Sequence, residues 1–149
     1  MGYTIGEMAK KLNLAPSTLR YYDKEGLLPF VERTEGGIRK FKEEDYELLK
    51  IIGCLKATGM QLKDIKLFVE MIQLGDESID DRLELFQKQR EIVEKQLEAL
   101  QTTLDVVNYK CWYLEMAKKM GTTSILNEMK DDEFPKEIQA IREKIKTKL

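Results

Sequence analysis

In the stretch 16-PSTLRYYDKEGLL-28, Ser17, Thr18, Arg20, Tyr21 and Tyr22 crowd together where the apolar pattern is thin. A helix built only to fill a core is not spelled this way. Short hydroxyls such as Ser17 and Thr18 reach a phosphate or a base edge without bulk. Arg20 can pair with phosphate or fork onto guanine. A tyrosine can rest its ring on protein and donate its hydroxyl to a phosphate. Adjacent helical positions point about 100° apart, so one of Tyr21 and Tyr22 is expected in the core and the other outward. Spacing does not say which.

The second reactive group is thiol. Cys54 and Cys111 are far apart and in no CxxC pattern, so no disulfide framework is expected. The chain has no histidine. That removes the commonest general base and metal ligand, and with them zinc hydrolases and Ser-His or Cys-His nucleophiles in their usual forms. One thiolate without histidine is a poor metal site. The expectation is therefore no metal, no cofactor and no enzyme activity.

Composition agrees with a binding protein. Of the 149 residues, 35% are charged and 42% hydrophobic. No apolar run is long enough to span a bilayer, and MGYTIGEMAKK lacks the apolar core of a signal peptide. The expected location is the cytoplasm, with no membrane partner. The net charge of −2 is unevenly spread: residues 1–42 carry eight Lys and Arg against five Asp and Glu. A mildly basic head on an acidic body suits a head that binds nucleic acid.

These groups must be held by the segments around them. Thr4-x-x-Glu7 is a capping box, followed by Ile5, Met8, Ala9 and Leu12 at helical spacing. Asn13 suits the turn. Pro16 fits the first position of a second helix, and Gly26 ends it in the left-handed position. This predicts a helix-turn-helix. Val31 to Phe41, with Gly36-Gly37 between β-prone pieces, predicts a hairpin, which after a helix-turn-helix is a wing. Residues 43–59 predict a helix with Leu48, Ile51, Ile52 and Leu55 on one face. Residues 62–74 predict another, with Leu62, Ile65, Phe68, Val69 and Ile72.

Beyond Ser78 the period changes. Leu83, Phe86, Arg90, Val93, Leu97, Leu100, Leu104, Val107, Cys111 and Leu114 recur at threes and fours, a heptad seam with one polar interruption, Arg90. This stretch runs about 48 Å as a helix, too long for a small head to cover. It calls for a second copy, normally by two-fold symmetry; heptads alone do not set the strand direction. The reading is a mainly α chain in three parts: a winged helix-turn-helix head (1–75), a dimerisation helix (76–120) and a short C-terminal tail (121–149). The tail has a loop at Gly-Thr-Thr-Ser and one helix opened by Pro135.

The segments 3-YTIGEMAKKLNLAPSTLRYYDKEGLLP-29, 37-GIRKF-41 and 58-TGMQLKDIKLFV-69 resemble the MerR family of bacterial transcription regulators. The resemblance implies a homodimer joined by an antiparallel coiled coil. It places Ser17, Thr18, Arg20 and Tyr21 on the recognition helix and Arg39 and Lys40 on the wing, and adds Lys66, near the backbone of the adjacent helix, to the DNA-binding residues. Phe41 stands where the family often has tyrosine. The family's mechanism implies a near-palindromic promoter site with an over-long spacer. The dimer distorts that spacer so that RNA polymerase can start, with a hinge at Gly75. The segments 51-IIGCLKATGM-60 and 110-KCWYLEMAKKMG-121 also resemble the short, lone-cysteine branch associated with aldehyde, electrophile or nitrosative stress.

On the helical wheel Cys54 falls at the edge of the apolar stripe. Lys50 lies one turn earlier and can lower a thiol pKa, whereas the nearby helix C-terminus opposes a thiolate. Cys54 is the candidate sensor. Cys111, in the seam, is expected to be packing with at most a secondary thiol role. The competing expectation is an effector-free coiled-coil architectural protein that binds DNA with little sequence preference.

Overall fold

The computed structural model describes residues 2–148. Helix α1 (Ile5–Leu12) is capped as its sequence dictates: the Glu7 N–H donates to Thr4 Oγ1 at 3.3 Å and the Thr4 N–H to Glu7 Oε2 at 2.8 Å. Asn13 ends it at φ 55°, a conformation that asparagine tolerates better than most residues. Helix α2 (Pro16–Lys24) opens on proline. The chain leaves it through Gly26 at φ 79°, where a side chain would be strained.

Strands β1 (Glu32–Arg33) and β2 (Arg39–Lys40) pair antiparallel, Glu32 opposite Lys40 and Arg33 opposite Arg39. Hydrogen bonds of 2.8 Å, from the Thr34 N–H to the Ile38 carbonyl and from the Gly37 N–H to the Thr34 carbonyl, close the turn. The wing does not hang free. Tyr3 and Phe41 exchange backbone hydrogen bonds of 2.7 and 2.9 Å, which stitches the N-terminus to the strand leaving the hairpin.

Helices α3 (Glu43–Ala57) and α4 (Leu62–Gln73) complete the head. Met8, Leu19, Leu27, Phe41, Leu49, Ile52 and Ile65 meet in one core. Each such side chain contributes roughly 1.5–3 kcal/mol by leaving water. The buried face of α3 differs from the expected one. It is Asp45, Leu49, Ile52 and Leu55, while Ile51 is 40% exposed. The doublets Leu48-Leu49 and Ile51-Ile52 offer two overlapping stripes, and the neighbouring helices select the second. Asp45 is buried because its carboxylate accepts the Lys42 N–H at 2.7 Å, capping the helix.

Chain contacts divide the molecule into two compact units, 1–90 and 91–149. The first includes the start of the long helix α5 (Ile79–Met120). The turn at Gly75 is hydrogen-bonded to the residues that follow it. The buried Ser78 hydroxyl lies between the carbonyls of Met71 and Gly75, and Arg82 Nη2 donates to the Gly75 carbonyl at 3.1 Å. One turn further, Phe86 meets Phe68 edge-on with ring centres 5.0 Å apart. Gln89 Nε2 donates to Thr58 Oγ1 at 2.5 Å. Phe86 is thus a seam position partly claimed by its own head.

The second unit holds two helices beyond α5 where one was expected. These are α6 (Ser124–Glu128) and α7 (Lys136–Lys148), separated by a short 3-10 turn at Asp131–Glu133. Ser124 opens α6 instead of extending the loop. Ala117, Leu126, Phe134 and Ile138 are buried, and the Trp112 and Phe134 ring centres are 5.6 Å apart. Arg142 lies over the Phe134 ring at 4.2 Å and donates to the Tyr109 hydroxyl at 2.8 Å. Lys144 reaches the buried Asp105 carboxylate at 3.1 Å. At ~100° per residue, Asp105, Tyr109 and Trp112 centre roughly 115° round α5 from Leu97, Leu100 and Leu104. The tail packs on the Asp105, Tyr109 and Trp112 side of the helix, and Leu97, Leu100 and Leu104 stay about half to two-thirds exposed.

Candidate nucleic-acid interface

On α2, Ser17 and Arg20 are exposed and Thr18 is half-buried. The structure separates the two tyrosines: Tyr22 is 2% exposed and Tyr21 41%. Tyr22, one of the five α2 residues singled out from the sequence as candidate DNA contacts, is instead the core member of the pair. Burial also holds its phenol pKa above the ordinary value. Tyr21 is the outward member. Lys56, near the end of α3, places its ammonium 5.0 Å from both ring centres. It adds a cation to the Tyr21 surface that sequence reasoning missed, since nothing local in the sequence links α3 to α2.

The wing arginine expected to meet DNA is engaged within the protein. Arg39 Nε donates to Asp23 Oδ2 at 2.9 Å, and its Nη2 donates to the same oxygen. Arg33 Nη2 reaches that oxygen too, at 2.7 Å, while Arg33 Nη1 donates to the Gly37 carbonyl at 3.2 Å. One carboxylate on α2 therefore holds an arginine from each strand of the wing. The signal was faint in sequence: these partners are 10 and 16 positions apart and meet only once the hairpin folds back.

Lys40 is exposed, its stem lying over Gly2, where a β-carbon would come within 2.4 Å of it. Lys66 is exposed, and its tip rests against Gly26 at the end of α2; a β-carbon there would sit 3.3 Å from Nζ. Phe41, which lacks the hydroxyl of a tyrosine, is fully buried. The head thus carries Arg20, Lys40, Lys56 and Lys66 on or beside α2 and its wing, with Arg39 tied in by Asp23.

Both cysteines are exposed. For Cys54 this replaces the expected edge-of-stripe position, because the core selected Leu49 and Ile52 and turned Cys54 outward. Lys50 keeps to its own turn, 3.8 Å from the Glu47 carboxylate and 5.2 Å from the centre of the Tyr46 ring. Among the described residues no group of three or more His, Cys, Asp or Glu is placed to hold a metal ion. No helix among them is long and apolar enough to cross a membrane.

The family described as "MerR HTH family regulatory protein" matches residues 3–72, and "MerR, DNA binding" matches residues 46–108. An "Uncharacterized HTH-type transcriptional regulator" of Haemophilus influenzae is 44% identical over 127 residues, 85% of this chain and 94% of that one. The chain belongs to the MerR family. It is a DNA-binding transcriptional regulator and not an enzyme.

Among solved MerR structures, one described as HiNmlR, "a MerR family regulator lacking the sensor domain, bound to promoter DNA", aligns with TM-score 0.74 and 44% identity over 84% of this chain and 99% of that chain. A MerR-family regulator from Bacillus thuringiensis aligns with TM-score 0.70 and 41% identity, over 74% of this chain and 97% of that one. The HTH-type transcriptional regulator ZntR of Escherichia coli K12 is more distant, 32% identical over 68% of each chain. The winged helix-turn-helix and long helix expected from sequence are those of this MerR group.

Proposed function

We propose that this MerR-family protein is a homodimer that binds a near-palindromic promoter site and activates transcription by distorting the spacer DNA, so that RNA polymerase can start. The observation that carries this reading is the pairing of a basic, hydroxyl-bearing α2 surface with a bare leucine seam on α5. Leu97 and Leu100 are 66% and 67% exposed in the single chain, an unfavourable state for side chains that size unless a partner covers them. The functional division is a head at 1–75, a dimerisation helix at 76–120, paired antiparallel, and a tail at 121–149. The contact set is Ser17, Thr18, Arg20, Tyr21, Arg39, Lys40 and Lys66, with Lys56 added. Cys54 is the proposed sensor of thiol-reactive stress, its exposure supporting access by a small electrophile. The cytoplasm is the proposed location.

The test is to compare binding to the promoter upstream of its own gene with binding to a random duplex. A regulator binds the first far more tightly, whereas an architectural protein binds both alike. Arg20→Ala sharpens the comparison. Operator affinity is expected to fall by about 1–3 kcal/mol if Arg20 reads a base, with random-duplex binding nearly intact. If it holds only phosphate, both affinities fall and the salt slope drops by about one. Unchanged binding to both would remove Arg20 from the interface.

A further inference from the structure

We propose that Asp23 is a positioning residue for DNA binding: it locks the wing to the recognition helix and presents the free edge of Arg39 to the DNA backbone. The inference rests on the reading of α2 and the hairpin as the two DNA-facing elements of the head. A carboxylate on a DNA-binding helix is, by charge alone, a liability, because it repels phosphate. Here its surroundings give it another use. The Asp23 side chain is only 17% exposed. It receives Arg39 through Nε and Nη2 and Arg33 through Nη2.

Two cations on one anion leave the cluster positive by one. The hydrogen bonding fixes which side of each guanidinium remains available. Arg33 is occupied on both sides, by Asp23 and by the Gly37 carbonyl, and so braces the turn. Arg39 is held along its Nε–Nη2 edge. Among the described residues its Nη1 has no hydrogen-bond partner, so Arg39 enters a complex with its planar fork already oriented. A guanidinium immobilised beforehand loses less freedom when it meets a phosphate.

The wing needs such a brace. Each of its strands is two residues long, and such a hairpin is marginal by itself. At the end opposite the turn, the wing is held by the backbone exchange between Tyr3 and Phe41 and by the Lys42–Glu32 ion pair. Asp23 supplies the attachment to α2 itself, and so sets the spacing between wing and α2.

Charge repulsion and positioning predict opposite signs for the same substitution. Asp23→Asn removes one negative charge near the DNA and so tightens binding if charge is what matters. If Asp23 positions the wing, operator affinity instead falls, by about tenfold. Glu25→Gln is the control: it removes the same charge two residues along, outside the cluster, and is expected to hold or raise affinity. Asp23→Glu keeps the carboxylate and is expected to recover part of the loss. In the free protein, amide hydrogen exchange at Thr34 and Gly37 should quicken in Asp23→Asn, while that of Met8, Leu49 and Ile65 stays slow. This readout needs no DNA and reports a global loss of folding separately, through the core amides. Tighter operator binding by Asp23→Asn, or wing exchange as slow as in the wild type, overturns the proposal. Failure of the wild-type protein to prefer its operator would instead overturn the DNA-binding surface on which it rests.

Discussion

Leu100→Asp is expected to convert the protein to a monomer and to abolish tight operator binding. Leu100 is two-thirds exposed in the single chain, on the side of α5 away from the tail helices. Once paired in a coil its side chain is covered, and a carboxylate there is buried without a partner. That costs several kcal/mol per chain, and both chains carry it. A monomer holds one half-site and loses the gain from linking two heads. Leu104→Asp should act alike. The buried tail residues Leu126, Phe134 and Ile138 lie elsewhere, so helix content should survive. Sedimentation reads the mass and fluorescence anisotropy the affinity. A monomer that still bound the full operator tightly would contradict the dimer reading.

Cys54→Ser is expected to keep dimerisation and operator binding but to lose induction by an aldehyde or another thiol-reactive compound. The substitution is small, and the side chain is exposed, so little stability is at stake. Exposure removes the simplest alternative, a small buried hydrophobe. It also changes how a modification must act: an adduct at Cys54 perturbs the surface of α3, not the core of the head. α3 carries Lys56 beside Tyr21 and is capped by Thr58, which meets Gln89 of the long helix, so a shift of its last turns bears on both. Cys111 is exposed in the single chain but occupies a seam position that a dimer covers. Cys111→Ser should therefore leave induction largely intact. The readout is a reporter strain challenged with aldehyde; normal induction of the Cys54→Ser protein would refute the sensor role.

What was legible in the sequence was local. The Thr4–Glu7 box, Asn13, Pro16 and the glycines at 26, 37, 59 and 75 punctuate the head where positive φ or a cap is required. The long helix was legible because its apolar positions repeat. What required tertiary structure was choice between equals. Leu48-Leu49 and Ile51-Ile52 present two stripes one position apart, and only the packed neighbours decide between them, carrying Cys54 outward as a consequence. Tyr21 and Tyr22 posed the same problem and were resolved the same way. The Asp23 cluster depends on a hairpin folding back on a helix. The tail was under-read because α6 is only five residues long, too short for a period to declare itself. The fastening of Gly75 by Ser78, Arg82 and the first turns of α5 was likewise invisible in spacing.

The central claim, that two basic heads joined by the α5 seam read one specific site, is tested most directly by titrating the wild-type protein onto its own promoter and onto a random duplex of equal length at physiological salt. The stoichiometry of the complex is measured in the same experiment. The account predicts two chains per site and an affinity for the promoter at least about 10³-fold above that for random DNA. Equal affinities, or one chain per site, would contradict it.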